Sequence, residues 1–235
     1  MINKCINFIQ GVIFAPSCLN CNQLSATATA ICKSCYSRLP ANRVCCRQCA
    51  LPLASTNQQL CGHCQQTSPT FNSAFIPFRY EHPVDEWIWK FKFRNDLVSG
   101  KLLADLFLQK LAESNAVMPE ILVPVPLHAS RLRQRGFNQS HWLARHIGKQ
   151  LGIPVNSRSV QRSLKTPPQH ELNMKKRTTI LRKAFALNGD FKHLHAAIVD
   201  DVLTTGSTVN EISKLLRSNG TKRIDCWAIA RTAFK

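Results

Sequence analysis

Along the second half of the chain the apolar positions change period twice, in the same order each time. Residues 121–125 and 196–199 are short, nearly unbroken apolar runs, the pattern of parallel strands buried on both faces. Each leads through a polar stretch into apolar positions at helical spacing: Leu143, Ile147 and Leu151 after the first, Val209, Ile212, Leu215 and Leu216 after the second. The pattern predicts two strand–loop–helix units of an open parallel α/β sheet, a class in which ligands gather beyond the carboxyl ends of the strands. Upstream, residues 75–80 predict a strand and residues 97–112, with Leu102, Leu103, Leu106 and Leu111, a helix. Between them WIWKFKFR, residues 87–94, alternates aromatic and mostly basic side chains. In isolation that is a strand with a stacking face, the mixture a single-strand binder exposes.

The second unit reads AAIVDDVLTTGSTVNEI from residue 196 to residue 212. Thr204, Thr205, Gly206, Ser207 and Thr208 occupy the turn that opens its helix. Unpaired backbone N–H groups, hydroxyl donors and the positive helix end favour an anion there, and phosphate is the natural guest. Asp200 and Asp201 stand at the carboxyl end of the strand, where two carboxylates can accept hydrogen bonds from vicinal ribose hydroxyls or help hold Mg²⁺. A simple helix cap needs one such residue, whereas here a run of five accompanies the acidic pair. The site reads as one for ribose 5-phosphate. In the first unit Arg131, Arg133 and Arg135, followed by Gly136, form a basic loop facing the same crevice, and guanidinium groups there suit pyrophosphate or a nucleic-acid backbone.

Ten of the eleven cysteines precede residue 65, and eight form C-x-x-C pairs: Cys18/Cys21, Cys32/Cys35, Cys46/Cys49 and Cys61/Cys64. Two such knuckles complete a tetrahedral Zn²⁺ site, so four predict two structural zinc ions. Sequential and interleaved pairing of the knuckles both remain open, as does Cys45 in place of Cys46. A disulfide framework would need an oxidising compartment, and the apolar stretch at residues 5–16 is too short to span a bilayer and lacks a small-residue cleavage site, which makes cytoplasmic residence the expectation. Cys5 and Cys226 are expected to be buried and inert, and His63 to be surface. The amphipathic start, Ile2, Ile6, Ile9 and Ile13, suits docking on the protein better than grazing a membrane. The formal net charge is +18, about +14 once each Zn(Cys)₄ centre contributes two negative charges. Residues 131–195 hold fourteen Lys/Arg against two acids, and their segment RSLKTPPQHELNMKKRTTILRKAF, with Pro167, Pro168, Lys175, Lys176 and Arg177, predicts a mobile basic loop. His170 and Glu171 within it are ordinary solvated groups on this reading, so no catalytic residue is assigned.

Residues 196–208 resemble the phosphoribosyl pyrophosphate (PRPP) motif of type I phosphoribosyltransferases, without mismatch in the acidic pair or the Thr-Thr-Gly-Ser-Thr loop. The stretch Pro124-Val125-Pro126-Leu127-His128, with Arg131, Arg133 and Arg135-Gly136-Phe137-Asn138-Gln139, looks like the signature of the bacterial ComF family. That resemblance covers the chain from Cys18 to about Arg231. It implies a small double zinc ribbon with its N-terminal helix, residues 1–66, followed by a type I phosphoribosyltransferase-like parallel α/β sheet, residues 67–235, in which WIWKFKFR becomes a short helix with its aromatics in the core. It also implies natural competence: incoming single-stranded DNA as partner, handled on the cytoplasmic side of uptake machinery at the inner membrane, with a related branch using DNA as a nutrient. Gln169, Leu172 and Arg177 match the loop that closes over PRPP in this fold. Two other functions share these features, an active phosphoribosyltransferase using PRPP, Mg²⁺ and a nitrogenous acceptor, and a PRPP-sensing regulator without turnover.

Overall fold

The computed structural model describes residues 17–24, 30–162 and 184–233. The expected amphipathic start, Cys5 and the basic segment with Lys175, Lys176 and Arg177 lie outside them. Two short helices, α1 (Lys33–Ser37) and α2 (Gly62–Gln66), belong to the cysteine-rich part. Then follow strands β1 (Ser73–Phe75) and β2 (Phe78–Arg79), helices α3 (Val84–Phe93) and α4 (Leu97–Ala112), and strand β3 (Ile121–Pro124). After it come α5 (Ala129–Arg135), α6 (Gln139–Leu151), β4 (Val160–Arg162), β5 (Phe185–Leu187), β6 (His195–Leu203), α7 (Ser207–Ser218) and β7 (Arg223–Arg231).

The main sheet is parallel throughout, in the order β1-β7-β6-β3, and β2 also pairs with β7. The predicted strand over residues 75–80 is thus two pieces, both running along β7. Pro77 separates them, since proline has no N–H for a ladder, and its carbonyl instead accepts from the Asn42 amide at 2.8 Å. Strands β4 and β5 pair antiparallel in a second, two-stranded sheet, whose Val160 and Phe185 join the core of the main sheet. WIWKFKFR is helical: its neighbours place Trp87, Ile88 and Phe91 at one helix face, and all three are buried. Gly100 allows α4 to approach this face, because a Cβ there would meet the Phe91 ring at 2.5 Å. In the helix at residues 139–151, Leu143 and Ile147 are buried as expected, while Leu151 stays at the surface.

Both sheet faces are covered, which is why the strands carry unbroken apolar runs. Ala197, Val199, Trp227 and Ile229 pack on one side under α3, α4 and α6, together with Cys18, Ile31 and Cys35. On the other side Ala196, Ile198, Cys226 and Ala228 pack under α7, together with Cys46, Cys49, Cys61 and Cys64. Cys226 is buried as expected, and burial pushes its thiol well above the usual range.

The cysteine knuckles pair sequentially. Cys18, Cys21, Cys32 and Cys35 form one cluster and Cys46, Cys49, Cys61 and Cys64 another, each with its sulfurs within 4.8 Å of one another. The Cys21–Cys32 and Cys49–Cys61 separations are 3.8 Å and 3.6 Å. These are close to the edge of a tetrahedron with Zn–S bonds of about 2.3 Å, and far beyond a disulfide bond of about 2.05 Å. Burial opposes ionisation of Cys46, but backbone N–H groups of Cys49, Cys61 and Gln48 outweigh it and lower the thiol to about 7. Cys45 stands outside the cluster, in a bridge opposite Pro52. His63 is exposed beside it. The two four-cysteine sites therefore suit structural zinc. Elemental analysis should find two zinc ions per chain. Cys46→Ser should reduce that to one and destabilise the ribbon by an amount on the order of 10 kcal/mol, whereas Cys45→Ser should leave the count at two. The reverse result would reassign the ligand.

Candidate ribose-phosphate site

The end of β3 and the end of β6 lie side by side, with the Val125 amide donating to the Val199 carbonyl at 2.9 Å. Asn138 caps α6 by accepting from the His141 amide at 3.3 Å, and its Nδ2 donates to the Val125 carbonyl at 3.0 Å, which ties the start of α6 to the end of β3. This places Ser140 beside the acidic pair. Its Oγ donates to Asp200 Oδ1 at 2.8 Å. Asp201 is buried and pairs with Lys92 of α3, Nζ to Oδ2 at 2.8 Å. Burial works to lower the Lys92 pKa, but Asp201 and then Asp200 outweigh it, so the ammonium is held above its ordinary range.

Thr204, Thr205, Gly206, Ser207 and Thr208 follow directly. Thr204 and Thr205 are exposed, and Gly206 takes φ 77°, a left-handed backbone that a side chain would strain. The Thr205 and Ser207 hydroxyls lie 3.0 Å apart. Buried Arg231, at the end of β7, holds this loop from behind. Its Nη1 donates to the carbonyls of Leu203 at 2.9 Å, Thr232 at 2.9 Å and Thr204, and its Nε to the carbonyl of Cys49 at 3.0 Å.

The three expected arginines are divided. The expected basic loop is the short helix α5 of about two turns, so Arg131 and Arg135 share a face while Arg133 projects from another and is exposed. Arg135 is half-buried, and burial with the nearby Arg131 lowers its pKa against the pull of Asp201. Arg162 of β4 is likewise lowered by burial and by Arg131, against Asp200. The structure therefore gathers Asp200, Asp201, Arg131 and Arg135 together with Lys92, Ser140 and Arg162, which sequence reasoning had not singled out. Of these only Lys92 carried a signal, as a lysine set among aromatics.

The family model of the double zinc ribbon domain matches residues 9–65. The chain is 33% identical to competence protein F of Haemophilus influenzae over 222 residues, covering 91% of this chain and 96% of the relative. It is 34% identical to the DNA utilization protein YhgH of Salmonella typhimurium, covering 86% and 90%. Among solved structures, the purine phosphoribosyltransferase of Pyrococcus horikoshii aligns at 17% identity with a TM-score of 0.36, covering 56% of this chain and 81% of that one. Within the described residues no helix is long and apolar enough to cross a membrane.

Burial and the adjacent Asp201 carboxylate push Asp200 up to about 7, with Lys92 and Ser140 offsetting them only in part. Its ordinary value is 3.8. The folded chain thus keeps a proton that the unfolded chain has already lost between these values. The stability this contributes is fully present below about pH 4 and is lost as pH rises through about 7. Asp200→Asn preserves the acceptor for Ser140 and removes the charge. It should raise the melting temperature at pH 8 by on the order of 5 °C, with the gain shrinking toward pH 4. A variant no more stable than the parent at pH 8 would make Asp200 an ordinary ionised surface group.

Proposed function

Since the chain belongs to the ComF family, we propose that it binds and handles incoming single-stranded DNA in natural transformation, through a ribose-phosphate pocket of the PRPP type. The observation that carries this reading is the convergence of three complementary groups at the carboxyl ends of the strands. Two carboxylates suited to ribose hydroxyls and Mg²⁺ lie beside an open hydroxyl-rich turn suited to phosphate, under the guanidinium groups of Arg131 and Arg135. In bound form Mg²⁺ would screen phosphate charge, and Asp200 and Asp201 are the residues placed to hold it. Relatives named for competence and for DNA utilization support the choice of partner. So does the excess of positive charge in residues 131–195, since a strand's phosphates release counterions on contact with such a surface. A pocket that takes a ribose-phosphate group suits one flexible strand with its bases unpaired better than a duplex.

A second reading, a phosphoribosyltransferase acting on PRPP and a nitrogenous acceptor, is favoured by the same acidic pair and turn, which are complementary to a ribose 5-phosphate ester whether or not DNA is present.

Replacing Asp200 and Asp201 together by alanine should abolish Mg²⁺-dependent PRPP binding in calorimetry, with zinc content unchanged. Undiminished affinity would reduce the turn to a helix cap. Labelled oligothymidine should bind more tightly than duplex, with log affinity falling by about 0.7 per contacted phosphate for each unit of log salt. Arg131→Glu with Arg135→Glu should weaken this binding and flatten the slope more than Arg133→Glu does. Equal affinity for duplex and single strand would leave the transferase reading, which a screen for pyrophosphate release with nitrogenous acceptors would then address.

A further inference from the structure

Helix α3 is only partly accounted for by the core and the pocket. Trp87, Ile88 and Phe91 enter the core and Lys92 reaches Asp201, yet Trp89 and Phe93, one turn apart, are 44% and 57% exposed. Their ring centroids lie 6.0 Å apart at a tilt of 44°. The Arg94 guanidinium sits 5.4 Å from the Trp89 centroid, and Arg135 of α5 sits 4.9 Å from that of Phe93. The two rings are thus linked to the acidic pair twice, through Lys92 on their own helix, which pairs with Asp201, and through Arg135, which stacks on Phe93 and feels the Asp201 charge. Large aromatic faces left in water beside guanidinium groups match a ligand that offers flat rings and negative charge in alternation.

We propose that Trp89 and Phe93 form a platform on which unpaired bases of single-stranded nucleic acid stack beside the ribose-phosphate pocket, while Arg94 and Arg135 neutralise the adjoining phosphates. This rests on the single-strand reading of that pocket. A duplex offers no free base faces along its length. A second copy of this strongly basic chain would bring further positive charge against Arg94 and Arg135, whereas a nucleic-acid strand brings the opposite sign.

The test compares oligothymidine with an abasic oligonucleotide of equal length and charge, using the full zinc-loaded chain and its Trp89→Ala/Phe93→Ala variant. Both positions are exposed, and unchanged zinc content and melting temperature would verify the fold. The parent should prefer oligothymidine by roughly tenfold or more for each stacked base. The variant should lose that preference while keeping its affinity and salt slope for the abasic strand, and Trp89→Phe should retain most of the preference. A parent that binds both strands equally overturns the platform and leaves single-strand binding intact. A parent that binds neither overturns both. A parent that sediments as a dimer and becomes monomeric in the variant would assign the rings to a self-interface instead, and so would also overturn the proposal.

Discussion

The C-terminal half of the sheet and its loops depend on one buried cation. Arg231 ends the central strand β7 with 1% of its surface exposed, and its guanidinium donates to carbonyls from three separate segments. A charge taken from water costs several kcal/mol unless its donors are met, and the carbonyls it meets would otherwise be stranded too. Only the planar fork of arginine can reach the last residue of β6, the first of the hydroxyl-rich turn and the second cysteine cluster at once. The position of the turn is consequently referred to a zinc site as well as to the sheet. A disturbance of that cysteine cluster would therefore be felt at the turn of residues 204–208, through the Cys49 carbonyl.

Charge in the crevice is arranged around a deficit of negative groups. Lys92, Arg135 and Arg162 feel the charge of Asp200 or Asp201, and Arg131 lies beside the two arginines, so cations outnumber the acidic pair there. The carboxylates in turn offset the mutual repulsion of these cations, and Lys92 forms an ion pair with Asp201. This combination suits a ligand carrying both sugar hydroxyls and phosphates, since each type finds its complement within the same crevice.

The cysteine clusters solve a different problem. A ribbon of this length has too few large apolar side chains for a core of its own, and metal ligation supplies the missing cohesion. One cluster is built into the packing on each face of the sheet, so the ribbon clamps the sheet rather than trailing from it. Asn42 reinforces the join, with its Nδ2 donating to the carbonyls of Ala50 and Ile76.

Local sequence determined what depends on short range. The apolar runs at 121–125 and 196–199 specify strands, the Leu-rich stretch 97–112 is a helix over the expected residues, and the C-x-x-C spacing specifies eight ligands, because period and knuckle geometry are properties of neighbouring residues. Tertiary structure decided what depends on partners distant in the chain. WIWKFKFR has the alternation of a strand, but α4 and the sheet bury three of its apolar side chains at helical spacing and leave Trp89 and Phe93 outside. Arg131 and Arg135 are separated from Arg133 by a helix turn that an arginine-rich string does not announce. Sequential pairing of the knuckles, the Lys92–Asp201 ion pair and the Arg231 fork likewise join residues far apart in sequence. Their energies come from burial and geometry that exist only once the sheet has formed, so no local pattern of residue types could carry them.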